Sequence, residues 1–191
     1  MEQTKKNKTG LVVVAVIILL IVWGVTSYNS LISKNEAITA QWAQVDTQLQ
    51  RRFDLIPNVV AATKGIANQE KEVFTEIAEA RTRYAGATTT DEKAAAASSV
   101  ESSLGRLLVI TENYPTLQSS QSFRDLTVSL EGSENRISVE RMKYNELVGS
   151  FNASIKRFPG SIVRGIAGLN NRTYFEVSEE ATKVPTVDFS N

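Results

Sequence analysis

Residues 31–59 read LISKNEAITAQWAQVDTQLQRRFDLIPNV, and the spacing of the apolar side chains in this stretch decides the fold. These side chains recur at alternating steps of four and three, with some polar residues in the same positions. The series is Leu31, Asn35, Ile38, Trp42, Val45, Leu49, Arg52, Ile56 and Val59. A 3.5-residue repeat of this length predicts a long helix with a seam for left-handed packing against other helices.

The repeat continues to Tyr84, with two weak points along the way. Pro57 removes one backbone hydrogen bond, so we expect a kink or break near it, and Gly65 adds a second weak point. A turn is predicted where the repeat ends, over residues 84–90. Within it, Thr89 and the acid three residues later match the capping-box pattern that starts a second helix.

The second helix is predicted to end at Asn113–Pro115, because proline disfavours helix in the residue before it. A third begins near Ser119 and ends at Pro159, and a short last helix closes at Gly168. Antiparallel helices whose apolar stripes face each other form an up-and-down bundle. The predicted fold class is therefore all-α, with an N-terminal transmembrane helix that continues into a long-helix antiparallel bundle of three to four helices.

The N-terminal segment predicts a membrane anchor, since no charged residue occurs from Thr9 to Ser33. A helix over Gly10–Ser27 would be about 27 Å long, close to the ~30 Å hydrocarbon core of a bilayer. A cleaved signal peptide is the alternative, but the apolar run is long for one and no small-x-small cleavage site follows it. The predicted organisation is a short segment 1–9, a transmembrane helix 10–28, a helical bundle 29–168 and an extended tail 169–191.

Charge sets the expected orientation of this anchor. Lys5, Lys6 and Lys8 precede the span, against the single acid Glu2. Because basic residues favour the cytoplasmic side, we expect a short cytoplasmic N-terminus and the bulk of the chain outside the cytoplasm.

Composition excludes several kinds of chemistry. Histidine and cysteine are absent and the formal net charge is zero. The chain therefore has no His/Cys zinc site, no Cys nucleophile and no imidazole base, and its charge does not favour nucleic acid. It also lacks P-loop, HExxH, EF-hand and GxSxG patterns. We predict no catalytic, cofactor or metal site.

The lengths of the predicted helices suggest a second partner for the first one. The second helix would be about 35 Å long and the first about 85 Å, so the second cannot cover the membrane-proximal stripe. Either the first helix folds back at Pro57 to give a four-helix bundle, or the stripe meets another chain. We predict a homo-oligomer with contacts along Leu31, Ile38, Trp42, Val45 and Leu49.

Three charged residues occupy seam positions where a pure core would have leucine: Arg52, Glu70 and Arg141. They could form a buried ionic layer that fixes helix register or creates a ligand pocket. Alternatively, the bundle splays there and the side chains reach water. The second interpretation is favoured, because a desolvated charge needs a partner and none can be identified from the sequence.

A series of short motifs covers most of the chain. They are Trp42-x-x-Val45-Asp46-x-Gln48-Leu49, Arg51-Arg52-x-Asp54-Leu55-Ile56-Pro57-Asn58, Asn113-Tyr114-Pro115-x-Leu117, Glu131-Gly132-Ser133-Glu134-Asn135-Arg136-Ile137, Arg141-x-x-Tyr144-Asn145, Phe158-Pro159 and Tyr174-Phe175-Glu176. In this order and spacing they resemble the LemA family of bacterial membrane proteins. The resemblance implies a transmembrane helix, a helical bundle and no agreed activity. The family that the chain resembles includes a magnetosome-associated branch, and its genes often lie beside those of membrane proteases. The topology of the family has been drawn with the N-terminus outside the cytoplasm. For this chain, the lysines before the span predict the opposite orientation, with the N-terminus in the cytoplasm.

These observations lead to three hypotheses about function. The first is a non-enzymatic, self-associating scaffold or adaptor in the bacterial inner membrane that organises membrane or envelope proteins. The second is a regulatory or sensory subunit of a membrane protease or transporter. The third is an envelope hydrolase that uses two Asp or Glu side chains, which must converge in a cleft with shifted pKa values.

Overall fold

The computed structural model describes residues 2–66, 68 and 70–175, and within them every regular element is helical. The α-helices are α1 (Glu2–Ala62), α2 (Lys71–Gly86), α3 (Thr90–Thr111), α4 (Pro115–Gln118), α5 (Gln121–Lys156) and α6 (Gly160–Ala167), with a short 3₁₀ turn at Lys64–Ile66. The all-α prediction, with a long apolar N-terminal helix followed by a helical bundle, is confirmed.

The helices contribute to two compact units. The first contains the residues up to Ala40 together with Asn145–Tyr174. The second contains Gln41–Tyr144 and Phe175. Each unit has its own apolar core and is described by itself below.

In the second unit, α1 continues through Pro57 to Ala62, so the predicted break near Pro57 is wrong, and the alternative of a kink there stays a prediction. Pro57 is exposed, while Ile56 and Val59 on either side of it are buried. Their burial offsets the hydrogen bond that proline cannot make. The chain leaves the α-helix next to Gly65, the second weak point that the sequence showed.

The reversal after α1 makes α2 and α3 pack against it in the second unit. Near the end of α2, the Tyr84 ring lies 4.1 Å from the Phe53 ring, centroid to centroid. Near the start of α3, the Lys93 ammonium donates to both carboxylate oxygens of Asp46, at 2.9 Å each. The capping box at Thr89 and Glu92 that begins α3 is confirmed.

The fourth helix of this unit is the first part of α5, which runs antiparallel to α1. Trp42 stacks edge-on against Tyr144 with ring centroids 5.3 Å apart, whereas Arg52, further along α1, pairs with Glu134, earlier on α5. The second unit is thus a four-helix, up-and-down arrangement of α1, α2, α3 and α5.

In the first unit, the last turns of α5 cover α1, and a non-helical strap after α6 adds to the contact. Lys34 donates to the Ser154 hydroxyl at 2.6 Å. Asn152, which is buried, donates its amide to the carbonyl of Arg172 and accepts from the N–H of the same residue. The Arg172 guanidinium donates in turn to Asn35 at 2.9 Å.

The structure corrects the premise of the predicted self-association surface. Four of its residues are buried within the chain, namely Leu31, Ile38, Val45 and Leu49, and Trp42 is half-buried. The error was to compare this stripe only with the second predicted helix, because the third one, α5, covers it. Homo-oligomerisation stays a prediction, but this stripe does not support it.

The predicted tail, 169–191, falls only partly within the described residues. From Leu169 to Phe175 the chain is not helical. Phe175 is buried, and its ring lies 5.8 Å from that of Trp42 in the second unit. The alternating stretch Val184–Phe189, a candidate for adding to a sheet edge or lying in a groove, lies outside the described residues.

We predict that Leu49→Ala lowers the free energy of unfolding by about 2–5 kcal/mol, because it leaves a cavity in the core of one chain. The control is Val128→Ala at an exposed position of α5, expected to change it by less than about 0.5 kcal/mol. Denaturant titration of the full chain in mild detergent, followed by circular dichroism, measures both. A Leu49→Ala protein of unchanged stability but smaller assembly mass would place the stripe between chains instead.

Candidate functional site

Four charged side chains from three helices meet in the second unit. Arg52 of α1 lies 2.5 Å from the carboxylate of Glu134 on α5. Arg141, also on α5, lies 3.9 Å from the carboxylate of Glu101 on α3. We call these four residues the ionic cluster. It joins α1, α3 and α5 by pairing two arginines at seam positions with two carboxylates on neighbouring helices.

The ionic cluster is largely removed from water. Arg52 is only 7% exposed, and its Nε, like Nη1 of Arg141, has no hydrogen-bond partner among the described residues. Burial raises the pKa of Glu101, and repulsion from Glu134 raises it further, against the opposing attraction of the two arginines. The desolvation of Glu101 therefore outweighs its ion pairing.

The ionic cluster also borders a cavity of about 380 Å³ in the same unit. Arg52, Glu101 and Glu134 line it, and Leu104 and Leu130 supply apolar wall. Besides the exposed Glu131, two carboxylates of the ionic cluster thus line one space, which is the arrangement that the hydrolase hypothesis needs. Both are engaged by arginines, however, and such pairing holds a carboxylate in place as a structural charge.

The structure brings together two of the three charged residues singled out in the sequence. Arg52 and Arg141 are in the ionic cluster, whereas Glu70 precedes α2 and accepts a hydrogen bond from the Tyr114 hydroxyl at 3.1 Å. The two carboxylate partners were missed. Glu101 carried one signal, since it is the sole acid on α3 beyond the first turn and flanks the apolar positions of that helix.

A second polar group missed in the sequence centres on Asp46, inside the first motif. The Tyr84 hydroxyl donates to Asp46 Oδ1 at 2.5 Å, and Lys93 binds both carboxylate oxygens. The pKa of Tyr84 is raised by burial first and by Asp46 second. Asp46 thereby ties α2 and α3 to α1.

The described part of α1 contains one stretch that is long and apolar enough to cross a membrane, starting at Gly10. None of the apolar window is buried by the protein. Its large apolar side chains, from Leu11 to Val25, are between 42% and 73% exposed. This distinguishes it from the core helix of a soluble protein, whose apolar face is covered.

Among the residues that the structure describes, no group of three or more His, Cys, Asp or Glu side chains is arranged to hold a metal ion.

We predict that Arg52→Ala lowers the free energy of unfolding by about 2–3 kcal/mol, because Glu134 keeps its charge without a partner. The cost stays below that of a fully buried pair, since Glu134 is a third exposed. The control is Arg106→Ala, which removes surface pairs with Glu72 and Glu76 and should cost less than about 1 kcal/mol. Equal losses in denaturant titrations would show that the ionic cluster acts as a surface pair.

The chain is similar to magnetosome proteins of two bacteria. "Magnetosome protein MamQ 1" and "Magnetosome protein MamQ 2" of Paramagnetospirillum magneticum are each 26% identical over 175 residues, covering 78% of this chain and 64% of the relative. "Magnetosome protein MamQ" of Magnetospirillum gryphiswaldense is 25% identical over 177 residues, with the same coverage. The chain thus spans about two thirds of the length of these relatives, 64% in each case.

The LemA family model matches residues 41–189. The match includes the ionic cluster and Asp46, and it begins after the apolar stretch that could cross a membrane. It covers more than half of the sequence and agrees with the motifs from Trp42 to Glu176. The chain belongs to the LemA family.

Proposed function

We propose that the chain is a single-pass membrane protein with a non-enzymatic role as a scaffold or adaptor. Residues 10–28 cross the bilayer, and the helical units on one side bind a membrane or envelope protein. The observation that carries the proposal is the uncovered apolar surface of α1 from Leu11 to Val25.

This surface cannot be left in water without a large cost. Transfer of one large apolar side chain out of water contributes about 1.5–3 kcal/mol, and the segment carries such side chains on all its faces. A helix that is apolar all round needs an apolar environment all round, which a bilayer supplies. The absence of charge from Thr9 to Ser33 fits the same environment.

The remainder of the chain supports a binding role more than a catalytic one. Arg52 and Arg141 are held in ion pairs, and the four-helix unit is tied by Asp46 and the ionic cluster. Rigid helical faces on a membrane anchor suit an adaptor. The names of the MamQ relatives fit a role at a specialised structure, and self-association is part of the same proposal.

Two alternatives differ from it in what they require. A regulatory or sensory subunit of a membrane protease or transporter would have a single dominant partner, which crosslinking in intact membranes and mass spectrometry would identify. An envelope hydrolase would use Glu101 and Glu134, the two carboxylates of the ionic cluster that line its cavity.

We predict that the chain stays with membranes through an alkaline carbonate wash, because its anchor is embedded in hydrocarbon. A reporter active only outside the cytoplasm, fused after Asn191, should be active. Changing Lys5, Lys6 and Lys8 to Glu should weaken or invert that orientation. Release by the wash contradicts the anchor, whereas activity of a cytoplasmic reporter at the same position contradicts the orientation alone.

We predict that Glu101→Gln stabilises the protein at pH 7. The folded state raises the pKa of Glu101 above its usual 4.5, so folded protein binds more protons than unfolded protein above that pH, and stability falls as pH rises through the folded pKa. The Glu101→Gln protein does not lose stability in this way. The difference in stability between it and wild type should therefore be absent below about pH 4 and should grow above it.

Thermal unfolding from pH 4 to pH 8 measures the difference, with Glu131→Gln, exposed at the same cavity, as the control. A Glu101→Gln protein less stable than wild type at pH 7 would show that pairing with Arg141 outweighs desolvation. Hydrolysis of an envelope polymer by wild type, lost in this variant, would favour the hydrolase hypothesis.

A further inference from the structure

The short helix α6 in the first unit carries an apolar stripe that the protein leaves uncovered. Phe158, just before it, and Ile162 and Ile166 on it are 69%, 59% and 79% exposed. Residues four apart lie on one face of a helix. Val163, on another face, is buried. One face of α6 is thus packed against the unit through Val163, whereas another face exposes apolar side chains to the surroundings.

The position of this stripe relates it to the apolar span. The Phe158 ring lies 5.2 Å from the Trp23 ring, centroid to centroid, and Trp23 is near the end of the segment that we propose crosses the bilayer. At Gly160, a Cβ would lie 2.1 Å from the carbonyl oxygen of Ser154. Glycine therefore permits the backbone contact that holds the start of α6 against the end of α5.

A cavity of about 370 Å³ lies beside Trp23 and Phe158. Its charged lining consists of two cations, Lys34 and Arg157, and its hydroxyl lining includes Ser30 and Ser154. No carboxylate lines it. The surrounding sequence has the same sign, since Leu147–Phe175 contains basic residues but no acid.

We propose that α6 is an interfacial helix and that this cavity binds the phosphate of an anionic phospholipid headgroup. Phe158, Ile162 and Ile166 then enter the boundary between headgroups and acyl chains, while Lys34 and Arg157 meet the phosphate. The inference rests on the proposed function, because it needs the span at 10–28 to be in a bilayer.

A bilayer fits this surface better than a protein partner does. Amphipathic helices at membranes combine an apolar face that sits about 5–10 Å deep with flanking basic residues, and aromatic rings concentrate at this level. The Trp23–Phe158 contact places the stripe where the span leaves the hydrocarbon. A protein would have to compete there with lipid already surrounding Trp23.

The depth of α6 can be measured in the full chain, which contains no cysteine. Single cysteines at Ile162 and Ile166 would carry an environment-sensitive fluorophore in reconstituted vesicles. We expect quenching by nitroxide-labelled lipids and protection from aqueous iodide. Matched controls are Ser161→Cys on the same helix and Val128→Cys, an exposed apolar position in the second unit. Both should show the reverse pattern.

Leu19→Cys, within the span, separates the two proposals. Lipid quenching at Leu19 with iodide quenching at Ile166 overturns the interfacial helix and leaves the anchor. Iodide quenching at Leu19 overturns the anchor itself. Protection of Ile166 from both quenchers would show that protein, not lipid, covers the stripe, and would also overturn the proposal.

The binding of lipid headgroups can be measured separately through the fluorescence of Trp23. In a Trp42→Phe protein, Trp23 is the single tryptophan. Its fluorescence is quenched by bromine, which is carried by either phosphatidylglycerol or phosphatidylcholine in mixed vesicles of the two lipids. Each cation should enrich anionic lipid roughly fivefold, so brominated phosphatidylglycerol should quench more at equal mole fraction. Lys34→Gln with Arg157→Gln should abolish this preference, whereas Arg124→Gln, an exposed arginine of the second unit, should keep it. Equal quenching by both lipids in the Trp42→Phe protein overturns the lipid site. The site is also overturned if added inorganic phosphate abolishes the preference for phosphatidylglycerol while chloride at the same ionic strength does not.

Discussion

The apolar stripe of α1 from Leu31 to Val59 must be kept from water over about 42 Å of helix, and α5 is the described helix that follows it furthest. Contacts between the two occur in each unit, at Lys34 with Ser154 and at Arg52 with Glu134. The shorter helices α2 and α3 also contact α1, at Phe53 and at Asp46. Within the described residues, α5 is therefore the helix that contacts α1 in both units, whereas α2 and α3 contact it in the second unit.

Apolar seams with a 3.5-residue repeat allow more than one register, because a shift by one heptad again brings apolar residues together. We propose that the ionic cluster removes that freedom. A shift of one heptad moves α5 by about 10 Å and leaves the buried guanidinium of Arg52 without Glu134. The raised pKa of Glu101 shows that this arrangement carries a desolvation cost. The same proposal gives the ionic cluster a larger role in the specificity of packing than in stability.

Local features of the fold could be predicted from sequence, and long-range ones could not. The heptad positions, the capping box at Thr89 and the helix end before Pro115 each depend on residues within a few positions of one another. The break after α1 was misplaced because the cost of Pro57 is local, whereas the burial that offsets it comes from other helices. The partners of Arg52 and Arg141 were missed for a similar reason: Glu134 and Glu101 are far away in sequence, and only the packed helices bring them close.

The two residues that join the strap after α6 to α5 should differ in how well they tolerate substitution. Asn152 bonds to the backbone N–H and C=O of residue 172, and every amino acid except proline offers both groups. A library at position 172 would lose the guanidinium contact with Asn35 and still keep this pairing. A library at position 152 would lose it with nearly every change, because a short side chain with one donor and one acceptor is needed. We therefore expect stronger constraint at Asn152, whose two hydrogen bonds to residue 172 use only backbone groups, than at residue 172 itself.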